Sequence, residues 1–287
     1  MDSTEKIILG TVQFGFDYGI NNQTGKIDQS TAKKILQLAW ESGINMLDTS
    51  YGYGESEIVI GQIMREQNLN FKIISKYPQN TGQIKEIFEE SLIRFHVTHL
   101  YGYLVHHFNE FKNNPMLWNS FVELKNSGKV EKIGFSLYSP VELNYLFDKN
   151  ISFDIVQFPY NIFDRQFDPY MTELKKRKIE VHVRSVFLQG LFFKNVEYLD
   201  PVFYPLKPYL LALQSYCLKQ GIDVENLALQ YVLKNPLVDR VLIGIDSIAQ
   251  LKRNIEATTS NICVDDIDFV HSILVREKDL LNPVNWK

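Results

Sequence analysis

The stretch "INMLDTSYGYGESEIVIGQIM", residues 44–64, decides the fold because it joins two kinds of hydrophobic pattern. It begins with "INML", which is typical of a buried strand, and ends with "IVIGQIM", whose apolar spacing indicates a helix. Between them "DTSYGYGESE", residues 48–57, places an acid, two tyrosines and two glycines. A tight polar turn accounts for the acid and the glycines, but it does not need two tyrosines.

The same alternation of strand-like and helix-like segments continues along the chain. Short β-rich apolar runs occur at 6–10, 44–48, 71–76, 100–106, 130–136, 153–158, 179–186 and 239–244. Helical periodicity separates the runs; Ile84, Ile87 and Leu92, for example, fall on one helix face. Strands that alternate with helices indicate an α/β fold with a parallel sheet, and eight of them favour a closed (β/α)8 TIM barrel.

We predict a single domain over residues 1–287, because no low-complexity linker divides the chain. A doubly wound open sheet is the alternative, but no G-x-G-x-x-G follows the first strand. The interval before the last strand is the longest. Its stretch 190–208 is rich in aromatics and prolines and predicts an inserted loop or lid.

Composition narrows the class of protein. The 287 residues are 45% hydrophobic and 22% charged, as is usual for a globular protein with a large core. A net charge of −4 argues against nucleic-acid or anionic-membrane partners. The polar start "MDSTEKIILG" and the lack of a long apolar run predict a cytoplasmic protein. The two distant cysteines, Cys217 and Cys263, predict reduced thiols.

The polar residues at the strand ends form a candidate site, because a parallel barrel places its chemistry at the carboxyl ends of its strands. These residues are Asp48, Lys76, His106, His107, Ser136, Gln157 and Arg184, and Tyr53 lies in the loop just after Asp48. An ammonium lowers the pKa of a nearby phenol, and a carboxylate keeps a buried ammonium charged. We therefore expect a proton donor beside a carbonyl oxygen, and hydride delivery to that carbonyl would make an alcohol.

The two neighbouring histidines do not suggest a metal site. As adjacent strand residues, His106 and His107 are expected to point in opposite directions. No further carboxylate or histidine occupies a ligand-like position, so we predict no metal.

The chain resembles the aldo-keto reductase family. The family motif D-T-A-x-x-Y-G-x-S-E matches "DTSYGYGESE", the lysine that ends the third strand matches Lys76 in "IISKY", and L-x-H matches His106 in "YLVHH". The resemblance implies a catalytic tetrad of Asp48, Tyr53, Lys76 and His106, with Tyr53 as the general acid. Tyr51 would be a loop residue.

The resemblance also implies a nicotinamide cofactor, NADPH or NADH. "VEKIGFS" and "VQFPYN" are similar to family segments whose serine and glutamine hold the carboxamide, here Ser136 and Gln157. A helix that begins near Ser247 would offer free N–H groups to a phosphate. The other implied cofactor residues are Thr11, Arg184, Ser185, Gln189, Gly190, Gly244, Ser247, Gln250 and Asn254. The implied substrate pocket contains Phe16, Tyr18, His107 and Tyr138.

Three departures from the family pattern bear on specificity. Arg184 replaces an aromatic ring that usually stacks on the nicotinamide, and its charge favours an anionic substrate or a cofactor phosphate. Basic residues that many members use for the 2′-phosphate of NADPH are replaced here by Gly244, Asp246 and Gln250. Asp246 would repel that phosphate, whereas Lys252 or Arg253 would compensate for it, which leaves NADPH and NADH open. The loop "LGTVQFGFDYGINNQTGK", residues 9–26, is similar to that of reductases in bacterial surface-sugar pathways and implies a small, sugar-like carbonyl substrate and a role in carbohydrate metabolism.

Two other functions use the same residues. One is a nicotinamide-binding regulatory subunit with little turnover. The other is a lyase or epimerase that forms a Schiff base on the Lys76 amine.

Overall fold

The strands form a closed parallel barrel. The computed structural model describes residues 3–20, 25–79 and 82–286. Within them, eight strands pair in chain order and the last pairs with the first. The strands are β1 (Ile7–Gly10), β2 (Met46–Asp48), β3 (Lys72–Tyr77), β4 (Leu100–Val105), β5 (Val130–Ser136), β6 (Ile155–Pro159), β7 (Glu180–Arg184) and β8 (Arg240–Gly244). Each predicted run matches one strand to within two residues at either end, so the predicted TIM barrel is confirmed.

Helices surround the barrel. In the described ranges they are α1 (Gln29–Glu41), α2 (Ser56–Gln67), α3 (Ile84–Phe95), α4 (Phe108–Asn113), α5 (Leu117–Asn126), α6 (Pro140–Asp148), α7 (Asp168–Lys176), α8 (Lys207–Gln220), α9 (Val224–Leu233), α10 (Ile248–Ala257) and α11 (Val264–Ser272). Helix α1 shows how the sequence sets their bounds. The Asp28 carboxylate accepts a hydrogen bond of 3.0 Å from the Thr31 N–H and caps the helix, Ala32 and Ile35 are buried, and the chain turns away at Gly43 with φ +85°.

The core has two layers. Apolar side chains inside the barrel form one cluster, which consists of Ile8, Met46, Ile74, Tyr101, Leu104 and Ile155. A larger cluster lies between the strands and the helices. Burying one such aliphatic side chain contributes about 1.5–3 kcal/mol, so both layers stabilise the barrel.

The segment 190–208 follows β7. It consists of 3₁₀ turns at Leu188–Phe193, Val196–Tyr198 and Pro201–Leu206, after which α8 begins. Its action as a lid stays a prediction. The predicted loop 9–26 falls partly outside the described residues, because 21–24 are not described. No helix in the described ranges is both long enough and apolar enough to cross a lipid bilayer.

Candidate active site

A cavity of about 730 Å³ opens at the carboxyl ends of the strands. It has the size usual for a small-molecule or cofactor site. Most of the predicted site residues line it: Thr11, Tyr18, Asp48, Tyr53, His106, Ser136, Tyr138, Gln157, Arg184, Ser185, Gln189, Gly190, Gly244, Ser247 and Gln250. Distant strand ends therefore converge on one wall.

Four predicted residues lie outside this wall. Lys76 is 1% exposed and lies behind Asp48. Phe16 packs toward Gly54 and is half exposed, so it covers the turn beneath the site rather than the cavity itself. His107 contacts His106, and Asn254 is buried in α10.

A buried ion pair forms the base of the site. The Lys76 ammonium contacts Asp48 and also donates to the Thr49 carbonyl at 2.9 Å. The second Asp48 oxygen accepts a hydrogen bond of 2.8 Å from the Gln157 amide. Burial lowers the pKa of Lys76, and the Asp48 charge opposes that shift. The amine is thus held by a counterion and is not part of the cavity wall, which disfavours the Schiff-base function.

Tyr53 presents its hydroxyl to the cavity. Its oxygen lies 3.4 Å from Nε2 of His106, and the two rings meet edge to face at 78°. Burial raises the pKa of Tyr53 well above its ordinary value, and the nearby Asp48 raises it further. The expected lowering by Lys76 is not found. The reason is that Asp48 neutralises the ammonium, which lies 5.7 Å from the centre of the tyrosine ring. Tyr53 therefore holds its proton firmly at neutral pH.

Tyr51 lies outside the site. Its hydroxyl donates to Glu90 at 2.6 Å, and the Arg94 guanidinium stacks on its ring at 4.0 Å. Both partners belong to α3. Tyr51 thus anchors the turn to the neighbouring helix, which agrees with the expectation that it is a loop residue.

The expected opposite orientation of the two histidines is wrong. The rings of His106 and His107 lie 4.6 Å apart and are tilted by only 33°. The reason is that β4 ends at Val105, so neither histidine is part of the strand and its alternation does not apply. Burial lowers the pKa of His106 well below its ordinary value, and the charges of Lys76, His107 and Arg184 lower it further. His106 is therefore neutral near pH 7.

Arg184 brings a positive charge to the cavity. Its guanidinium stacks at 4.2 Å on the Tyr138 ring and donates to the Leu137 carbonyl at 3.2 Å. No carboxylate of the described residues lies within 4 Å of it in an ion pair. Its charge lowers the pKa of Tyr53, against the larger effect of burial. The guanidinium therefore lies close enough for its charge to act on the Tyr53 hydroxyl.

The other end of the cavity has the features that a dinucleotide needs. Ser247 caps α10 by accepting a 3.2 Å hydrogen bond from the Gln250 N–H. Both residues line the cavity, so the N-terminus of this helix forms part of its wall. Asn254, in the same helix, is 1% exposed, and neither its amide nitrogen nor its amide oxygen has a hydrogen-bond partner in the described residues. A buried amide normally has hydrogen-bond partners, so the unpaired groups fit a bound ligand.

The loop after β7 shows strain where it meets the cavity. Ser185, Leu188 and Gln189 have φ values of +61°, +47° and +52°, in the left-handed region. Such backbone conformations cost about 1–3 kcal/mol each and cluster at ligand sites.

Several residues of the cavity wall are not among those predicted from the sequence. Gln13 is buried, and its amide nitrogen would lie 2.9 Å from a Cβ on Gly244. Burial raises the pKa of Asp246, the Gln13 amide lowers it, and Asp17 raises it. Tertiary folding alone joins these loops, so no local signal marked Gln13. Asp223, Glu225 and Arg253 also line this end of the cavity.

Comparisons with known proteins agree with this geometry. Residues 6–274 match the model of the aldo/keto reductase family. The chain is 27% identical to the aldo-keto reductase YhdN of Bacillus subtilis, over 97% of this chain and 92% of that one. It is 25% identical to the NADH-specific methylglyoxal reductase of Escherichia coli, over 88% and 89%. Its fold is similar to that of aldo-keto reductase AKR11C1 from Bacillus halodurans in its holo form, with a TM-score of 0.75, 22% identity and coverage of 94% and 92%.

Proposed function

Because this chain belongs to the aldo/keto reductase family and is an NAD(P)H-dependent carbonyl reductase, we propose that Tyr53 supplies the proton in its reaction. The observation that carries this proposal is the position of the Tyr53 hydroxyl at the cavity wall, 3.4 Å from Nε2 of His106, where burial raises its pKa and so favours its protonated form. A nicotinamide cofactor, when bound, would supply a hydride for the carbonyl carbon. As negative charge develops on the carbonyl oxygen, Tyr53 donates its proton to that oxygen.

The residues around Tyr53 hold it for this task. The Lys76–Asp48 pair fixes the base of the site, and the Arg184 charge stabilises the tyrosinate that remains after transfer. Gln157 uses its amide nitrogen on Asp48, so its amide oxygen is available to the nicotinamide carboxamide, with Ser136 beside it. The N-terminus of α10 would hold a phosphate, and the unpaired amide of Asn254 would bind the same end of the cofactor.

Replacement of the two tyrosines tests this assignment. Tyr53→Phe should lower kcat about 10²–10⁴-fold, the usual contribution of a general acid, while a fluorescence titration still shows NAD(P)H binding. Tyr51→Phe is the matched control, because it removes a phenolic hydroxyl from the same turn, and it should keep near-normal kcat. Undiminished turnover in Tyr53→Phe would refute the proton-donor role.

We also propose NADH as the preferred cofactor. Asp246 is half buried on the cavity wall, Asp17 is close enough to raise its pKa, and Arg253 is engaged by Glu225 at 3.3 Å. A carboxylate there repels a 2′-phosphate but accepts hydrogen bonds from ribose hydroxyls. We expect higher kcat/KM with NADH than with NADPH, and a smaller ratio in Asp246→Asn. A wild-type preference for NADPH would overturn this choice.

We further propose an anionic or sugar-like carbonyl as the substrate. Support comes from the Arg184 guanidinium, which lies near the Tyr53 hydroxyl and makes no ion pair within 4 Å among the described residues. Arg184→Tyr should therefore lower kcat/KM more for succinic semialdehyde than for butanal, a neutral aldehyde of the same chain length. Equal losses for both aldehydes would dismiss Arg184 as the substrate anchor.

A further inference from the structure

Ser50 replaces the alanine of the family motif and lies beneath His106. Its side chain is fully buried. The Ser50 oxygen lies 3.1 Å from Nδ1 of His106, 3.2 Å from the Lys76 carbonyl oxygen and 3.2 Å from the Gly52 N–H. A serine hydroxyl is therefore within hydrogen-bond reach of three groups that an alanine could not bind.

The number of hydrogens decides how these three contacts are made. A serine hydroxyl has one hydrogen to donate and two lone pairs to accept with. The Lys76 carbonyl can only accept, and the Gly52 N–H can only donate. If Ser50 donates to Lys76, its remaining lone pair must accept from a proton on Nδ1 of His106. In the opposite tautomer, Nδ1 carries no proton and the Ser50 hydroxyl must donate to it. The lone pairs of the Ser50 oxygen and of the Lys76 carbonyl oxygen would then face each other at 3.2 Å.

A neutral His106 ring has one N–H. If that proton is on Nδ1, Nε2 is unprotonated and can accept a hydrogen bond. The charged or titratable groups that act on His106 are Lys76, His107 and Arg184, and they add to burial in keeping the ring neutral. Tyr53 faces Nε2 at 3.4 Å.

We propose that Ser50 is a positioning residue, which fixes His106 with its proton on Nδ1 and makes Nε2 a hydrogen-bond acceptor at the cavity wall. This inference rests on the proposed role of Tyr53. The site then presents one donor, the Tyr53 hydroxyl, next to one acceptor, Nε2 of His106. A carbonyl whose neighbouring carbon carries a hydroxyl group matches both, because its carbonyl oxygen accepts from Tyr53 while its hydroxyl donates to His106. Ser50 thus favours α-hydroxycarbonyl substrates over plain aldehydes.

Nitrogen NMR of the histidine rings tests the tautomer directly. In the ¹⁵N-histidine-labelled protein near pH 7, with His106 assigned by its loss in His106→Gln, we expect a protonated Nδ1 and a bare Nε2. Ser50→Ala should shift His106 toward the other tautomer. Ser91→Ala, which removes a buried hydroxyl that binds Glu57 on the far side of the turn, should leave the His106 signals unchanged. A wild-type ring protonated on Nε2 would overturn the proposal.

A matched pair of substrates tests the consequence. Wild-type protein should reduce 2-hydroxypropanal with kcat/KM about tenfold above that for propanal, since one hydrogen bond contributes roughly 1–1.5 kcal/mol. Ser50→Ala should remove most of this ratio while Ser91→Ala retains it. An unchanged ratio in Ser50→Ala contradicts the positioning role. The NMR result does not depend on turnover, so failure of the Tyr53 proposal would show instead as undiminished turnover in Tyr53→Phe.

Discussion

Replacing Asp48 with asparagine should destabilise the protein strongly, because Lys76 would remain buried without a counterion. The two side chains are 2% and 3% exposed in their ion pair. Asparagine keeps the volume of Asp48 and can still accept from Gln157 with its one oxygen, but it cannot balance the ammonium. Removing one partner of a buried pair costs about 3–5 kcal/mol, which is a large part of the 5–15 kcal/mol stability of a typical domain.

Urea unfolding at pH 7 measures this cost, and a double-mutant cycle separates its source. Lys76→Met alone leaves Asp48 unpaired and should also destabilise. The double variant removes both charges and should cost less than the sum of the two single changes. Glu55→Gln is the control: the Lys26–Glu55 pair is as short as 2.6 Å but exposed to solvent, so its loss should cost far less than Asp48→Asn.

The pH dependence gives a second measurement with a definite sign. Burial already lowers the pKa of Lys76 below its ordinary 10.5, and loss of Asp48 lowers it further. Between the folded-state pKa of Lys76 and 10.5, the unfolded state then binds more protons than the folded state, so stability rises with pH through that window. The cost of Asp48→Asn should therefore be smaller at pH 9 than at pH 7. A cost no larger than that of Glu55→Gln, or one that grows with pH, would refute the reasoning.

Two further changes test packing and a buried acid. Gly61→Ala should cost about 1–3 kcal/mol or more in urea unfolding, because its Cβ would lie 2.0 Å from the Arg94 carbonyl oxygen between α2 and α3; Gly82→Ala, which meets nothing within 4 Å, should change stability by less than about 0.5 kcal/mol. Burial raises the pKa of Asp164 to about 6, so its contribution to stability is present below pH 3.8 and lost as the pH rises through 6. Asp164→Asn should flatten this part of the pH–stability curve and raise stability at pH 7 by about 1–3 kcal/mol, and a steeper curve would contradict it.

The sequence by itself determined the barrel and the order of its strands. Burial patterns are local, because a strand or a helix repeats its apolar face every two or every 3.6 residues. The strand ends followed from those patterns, and with them the convergence of Asp48, Tyr53 and His106 on one cavity. The resemblance to the family motif then distinguished Tyr53 from Tyr51. Composition and local pattern could not do so, because both are tyrosines of the same turn and each is followed by a glycine.

Only the tertiary structure decided the protonation and hydrogen bonding of these groups. Ser50 and His106 are 56 residues apart in the chain, and Asp48 and Gln157 are 109 apart. From the sequence alone, Lys76 is expected to lower the pKa of Tyr53, but in the structure burial raises that pKa and Asp48 neutralises the ammonium. A pKa or a tautomer depends on charge, burial and donor count within a few ångströms, and those neighbours come from separate strands that only the closed barrel brings together.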